Sequence, residues 1–201
     1  MNIRNLVNRL SAFSLILFSF SASAGNVWEG YEYLMSLPRE YKDFGSVCEE
    51  IATQEIKEDY PSDRYEVTGN LVYQNSQRTI GELDIVVLRK EDKEAVVIGE
   101  VKCWKKLSQG RSKALRQLER FRNTILSGRP IRIFHAFEKK RLFETDQFDE
   151  APRYITVSQK GGRSEGYDRE IRFSHEEMRR LYRVIRECRG GHRCPKSEKD
   201  I

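Results

Sequence analysis

Internal repeats, long apolar runs and a dominant charge sign are all missing from this 201-residue chain. No segment recurs at a period of roughly 33–45 residues, which excludes solenoids and propellers. Basic and acidic residues number 36 and 31, a net +5 that leaves most charge cancelled. With clear apolar segments present as well, a disordered chain is excluded. Beyond Phe20 no stretch is apolar enough to span a bilayer. Histidine occurs three times and no Cys-x2-Cys pair exists, so a zinc site has little to build on. The length excludes both a large multidomain enzyme and a mini-protein held by staples alone.

What is present suffices for one core: 38% of residues are hydrophobic and 10% aromatic. Residues 1–24 carry Arg4 and Arg9, an apolar stretch from Leu10 to Phe20, and then Ala22-Ser23-Ala24. That is the pattern of a secretory signal peptide. The expected organisation is therefore a signal segment at 1–24 and one domain over 25–201, exported to a periplasm or beyond, with no stable membrane association. Four cysteines follow: Cys48, Cys103, Cys188 and Cys194. An even count behind a signal peptide reads as two disulfides, with three possible connectivities. The nearest pair, Cys188 and Cys194, would close a short loop through Gly190-Gly191. It would leave Cys48 and Cys103 to tie an early helix to a central strand.

Residues 44–60 read as a helix with Phe44, Cys48, Ile51, Ala52 and Ile56 on one face, ended by Pro61. Residues 64–74 read as a strand broken at Gly69-Asn70, and 79–88 as a strand ending in Ile85-Val86-Val87-Leu88. Ala95 to Lys102 supplies its hairpin partner across a polar loop. Apolar runs without alternation mark central strands. A helix is expected over 111–126, with Leu115, Leu118, Phe121 and Ile125 on its stripe. A strand follows at 131–137, a further one at 153–157, and a last helix begins at Ser174 with Glu177 completing a capping box. The order α-β-β-β-α-β-(β)-α is that of an α/β fold.

A hairpin centred on Asp92 gives paired residue numbers that sum to 184. Leu88 then faces Val96, Asp84 faces Glu100, and Glu82 faces Lys102. With a side-chain period of two, Glu100 and Lys102 share a face. Carboxylates so crowded raise their pKa values or bind a cation. Hard oxygen ligands suit magnesium or manganese. Lys102 beside such an ion would position or deprotonate a water, or stabilise charge developing on phosphorus.

These residues fall into a recognisable pattern: Gly45-x3-Glu49-x2-Ala52, Gly81-Glu82-Leu83-Asp84, Glu100-Val101-Lys102, and Gln117 ahead of Phe121. Over about residues 45–137 the chain resembles the PD-(D/E)XK nuclease superfamily, in particular its small bacterial branch related to Holliday-junction resolvases. The resemblance implies a restriction-endonuclease-like αβββαβ core, with a mixed central sheet flanked by helices and a C-terminal helix added. It implies that Asp84, Glu100 and the Val101 carbonyl ligate Mg2+ (or Mn2+), that Glu49 completes the shell, that Lys102 serves the attacking water and that Gln117 orients the site. The usual Pro before the Asp is absent, and Phe121 stands where a Tyr often follows. At 100° per residue, Glu49 lies at the edge of the apolar helix face, Glu50 points away, and Glu55 lies nearer the middle, where an unpaired acid is costly. All three remain candidates for the helix acid.

Lys105, Lys106, Arg111, Lys113 and Arg116 follow the acidic motif directly, with Trp104 among them, able to stack on a base or to pack inward. Arg179, Arg180, Arg183, Arg186 and Arg189 lie on the last helix. Such clusters bind phosphate backbones. The expected function is an exported, metal-dependent nuclease, with DNA ahead of RNA as its partner. The alternative is a non-catalytic nucleic-acid-binding or toxin-like module on the same fold.

Overall fold

The segments 65–74 and 79–89 zip together as one antiparallel ribbon, with Tyr65 opposite Arg89, Thr68 opposite Val86, Leu71 opposite Leu83 and Tyr73 opposite Gly81. The register runs unbroken through Gly69-Asn70 and Asp84, but the ribbon changes sheets there. Corners of this kind are made where strands bend from one sheet to another. Asn70 takes a left-handed φ of 55°. Gly69 has to lack a side chain, because a Cβ there would run into the Asp84 carbonyl oxygen. The ribbon therefore yields four strands: β1 (Tyr65–Thr68), β2 (Leu71–Gln74), β3 (Thr79–Leu83) and β4 (Ile85–Arg89).

This is a computed structural model, describing residues 26–150, 152–191, 194–195 and 198–201. The expected signal segment at 1–24 lies outside the described residues, as does His192. Among the described residues no helix is long and apolar enough to cross a membrane.

The main sheet has the order β1-β4-β5-β8-β9, with β5 at Ala95–Val101, β8 at Arg153–Ser158 and β9 at Arg169–Glu170. Strands β1, β4 and β5 run antiparallel, and β8 and β9 join parallel to β5, so the sheet is mixed. The second sheet, β3-β2-β6-β7, is antiparallel and includes β6 (Arg132–His135) and β7 (Leu142–Phe143). The helices are α1 (Val27–Ser36), α2 (Phe44–Asp59), α3 (Leu107–Leu126) and α4 (His175–Arg189). The protein is thus α/β. Its main sheet is assembled in the order helix α2, three antiparallel strands, helix α3, parallel strand β8.

Alternation along β4 feeds two cores. Ile85 and Val87 pack with Leu34 of α1, Val47 and Ile51 of α2, and Leu181 and Ile185 of α4. Val86 and Leu88 pack on the other side with Leu118 and Phe121 of α3 and with Tyr73, Leu83 and Ile133 of the second sheet. Burial on both faces explains the unbroken apolar run. Polar end groups are met locally: Asp43 and Ser46 cap α2 reciprocally, as do Ser174 and Glu177 at α4, the box expected from the sequence.

Several expectations need correction. The strand at 79–88 is two strands in two sheets. The 131–137 strand is shorter, Arg132–His135, and lies in the second sheet beside β2. Leu88 pairs with Ala95 rather than Val96, because the β4–β5 register shifts at Val87/Leu88. Helix α3 begins at Leu107, four residues before the expected start, and the Tyr167 hydroxyl donates to the Leu107 carbonyl there at 3.1 Å. Leu115 is 42% exposed, since the buried face of α3 runs through Ala114, Leu118 and Phe121 instead.

Candidate functional site

Asp84 sits at the ribbon's corner, where its side chain reaches across to the end of β5. The Val101 N–H donates to Asp84 Oδ2 at 2.8 Å. Pairing of Ile85 with Gly99 and Val86 with Ile98 keeps the sum of 184, which sets Asp84 opposite Glu100 as expected. Lys102 follows at the strand end, and its main-chain N–H donates to the Val157 carbonyl of β8 at 2.9 Å.

The ammonium of Lys102 turns back into the site. It donates to Asp84 Oδ2 at 3.0 Å, Glu100 Oε2 at 3.1 Å and the Val101 carbonyl at 2.8 Å. The three oxygens on which the motif centres therefore converge on one positive point. Glu100 is fully buried, and its Oε1 accepts no hydrogen bond. Burial, then the charge of Asp84, hold the Glu100 carboxyl far above the ordinary range. Burial opposes the charge on Lys102, but Asp84 and Glu100 outweigh it and keep the ammonium protonated.

Helix α2 brings the third acid. Burial first, and then Asp84, raise the Glu49 carboxyl, while Lys102 pulls it down. Glu50 and Glu55 are engaged elsewhere. Glu50 pairs with Arg39 and accepts from the Tyr33 hydroxyl at 3.0 Å. Glu55 is buried as its helical position implied, and it accepts from the Arg172 main-chain N–H at 3.1 Å. Of the three candidates, Glu49 is the one coupled to Asp84 and Lys102. Its neighbour Cys48 is bonded to Cys103, which follows Lys102, with Cα atoms 6.3 Å apart. The disulfide thus joins α2 to the strand end beside both site residues. Cys188 and Cys194 form the second bridge. Paired cysteines belong to oxidising compartments, which fits an exported protein.

Glu82 does not join the site. It pairs with Val72 in the second sheet and is exposed, because the bend at Asp84 carries β3 away from β5. Gln117 lies on α3 near Ala114, Leu118 and Phe121, and its Oε1 is buried without a partner. Sequence reasoning missed two supports. Gly69 admits the Asp84 carbonyl, and Gln159, itself buried, donates to the Trp104 carbonyl at 2.9 Å. The Gly69-Asn70 break, in register with Asp84, was the available signal for the first.

Among the described residues no three His, Cys, Asp or Glu side chains stand in metal-binding geometry. The point where Asp84, Glu100 and the Val101 carbonyl meet is taken by the Lys102 ammonium. The donor set nonetheless fits a hard divalent ion: every donor is oxygen, one buried carboxylate oxygen is unpartnered, and the raised carboxyls call for positive charge. Compared with known proteins, the chain matches no family model, no curated protein and no solved structure.

Lys105, Lys106, Lys113 and Arg116 are exposed, the first two following Lys102 closely in the chain and the others on α3. Arg111 is not so available: its Nε donates to the Gly166 carbonyl at 2.7 Å and ties α3 to a loop. On α4, Arg179, Arg180, Arg183 and Arg186 are exposed, whereas Arg189 donates to the Leu34 and Leu37 carbonyls and holds the end of α1. Near the start of α4, burial and then the charges of Arg179 and Lys105 depress His175. His135, expected to be structural, accepts from the Glu138 N–H through Nδ1 at 3.2 Å.

Proposed function

We propose that this chain is an exported, divalent-metal-dependent nuclease with a restriction-endonuclease-like core, acting on DNA ahead of RNA. The observation that carries the reading is the convergence of Asp84, Glu100 and the Val101 carbonyl on one cation position, with Glu49 alongside. The helix–strand order of the main sheet and the exposed cations at its rim support it. Asp84, Glu100, Val101 and Glu49 would hold Mg2+ or Mn2+. Such an ion acidifies its bound water and offsets charge on phosphate.

The residues of the chain do the rest. Lys102, on leaving its oxygens, is placed to hold the attacking water or the developing negative charge at phosphorus. Gln117, whose buried Oε1 is unpartnered, would orient water or substrate, as the resemblance implies. The water oxygen forms a new bond to phosphorus, one ester P–O bond breaks, and the leaving oxygen takes up a proton. Lys105, Lys106, Lys113 and Arg116 bind the flanking phosphates.

A second reading, a nucleic-acid binder without catalysis, is favoured by the ammonium occupying the cation position. Incubation with supercoiled plasmid separates the two. The nuclease reading expects nicking with Mg2+ or Mn2+ and none in excess EDTA. Retardation of the plasmid with no strand breaks in either condition would favour the binder.

A further inference from the structure

Trp104 is 39% exposed, one residue beyond Cys103 and two beyond Lys102. Its backbone is fixed from three sides. Cys103 is bonded to α2. The Trp104 carbonyl is held by the buried Gln159. Gly110 of α3 presses against the strand end so closely that a Cβ there would lie 3.3 Å from the Cβ atoms of both Lys102 and Trp104. The Lys113 ammonium lies over the ring, 5.1 Å from its centroid, and a base stacking on that face would take its place. Exposed Lys105 and Lys106 adjoin it. This is an aromatic platform of set position within a field of cations, next to the carboxylate cluster.

We propose that Trp104 is a stacking platform for an unpaired base, and that the site therefore takes single-stranded or frayed nucleic acid in preference to intact duplex. The inference rests on the nucleic-acid reading above and names its substrate class. A base in duplex already stacks on its neighbours and presents no face to a side chain. An unpaired base does, and stacking on an aromatic tolerates any sequence. Lys105, Lys106 and Lys113 would follow the backbone on either side, giving affinity without sequence readout.

The test reads binding alone, in EDTA, so it is independent of cleavage: a chain that cuts nothing can pass it, and one that cuts can fail it. The chain carries two tryptophans, Trp28 and Trp104. Titration with oligothymidylate is expected to quench tryptophan emission, and a blunt hairpin duplex of equal charge is expected to quench much less. Trp104→Ala should weaken single-strand binding by about 5-fold or more while duplex binding changes by less than about 2-fold. Trp104→Phe, which keeps a ring, should retain most of the affinity and lose the quenching. Equal weakening of both substrates by Trp104→Ala, or no quenching by the single strand, would overturn the proposal.

Discussion

Glu100 has no exposed surface, a raised carboxyl pKa and one oxygen without a partner, so its charge costs the fold free energy. Gln is nearly the same shape and carries no charge. Glu100→Gln should therefore keep or raise Tm and abolish metal-dependent cleavage; a Tm lower by several degrees would show that the carboxylate is a structural partner of Lys102 above all. The positions of Asp84, Glu100 and Lys102 were legible in the sequence because a period of two and a single register fix which side chains meet. Glu82 obeyed the same arithmetic and still landed elsewhere. Nothing between Leu83 and Ile85 announces a bend, and the Gly69 that permits it lies on the partner segment. The helix acid depended on a 100° projection, which placed Glu49 at the edge of the buried face but not its coupling to Asp84.

At the scale of elements, the Cys48–Cys103 bridge connects α2 to the end of β5, with Glu49 and Lys102 as its sequence neighbours. A Cys48→Ser/Cys103→Ser variant should lose about 2–4 kcal/mol. Assayed where it remains folded, it should also cleave far more slowly, because α2, which carries Glu49, is no longer tied beside Lys102. The matched Cys188→Ser/Cys194→Ser variant should keep its cleavage rate, since that bridge closes a short loop after α4. Equal rates in the two variants would remove the positioning role. Capping residues and apolar periodicity made α2 and α4 readable. Helix α1 was not foreseen; Gly30 weakens its helical signal yet lets it approach Leu181 and Phe173 closely. At the start of α3 the Tyr167 hydroxyl meets the Leu107 carbonyl from 60 residues away, a contact that local sequence cannot reveal.

At the scale of the whole molecule, the described residues form two sheets rather than one around β4 and β5. A strand buried on both faces looks the same in sequence whether helices or a second sheet cover it, so the mixed α/β class was readable and the second sheet was not. Stability should carry the mark of Glu55, which links α2 to the segment before α4 through Arg172. Burial raises its carboxyl above the ordinary value of 4.5, against the pull of Arg172. A raised folded pKa means stability fully present at acidic pH and lost as pH climbs through the folded value. Glu55→Gln removes that dependence. The Tm of wild type relative to the variant should thus fall from pH 4.5 to neutrality; a constant difference would contradict the assignment.

The account depends above all on a divalent ion displacing the Lys102 ammonium from Asp84, Glu100 and the Val101 carbonyl. Titration of Mn2+ into the protein, followed by electron paramagnetic resonance, tests this most directly. One bound ion per chain in the wild type and none in Glu100→Gln is the predicted result. No bound ion in the wild type, or one unaffected by the substitution, would contradict it.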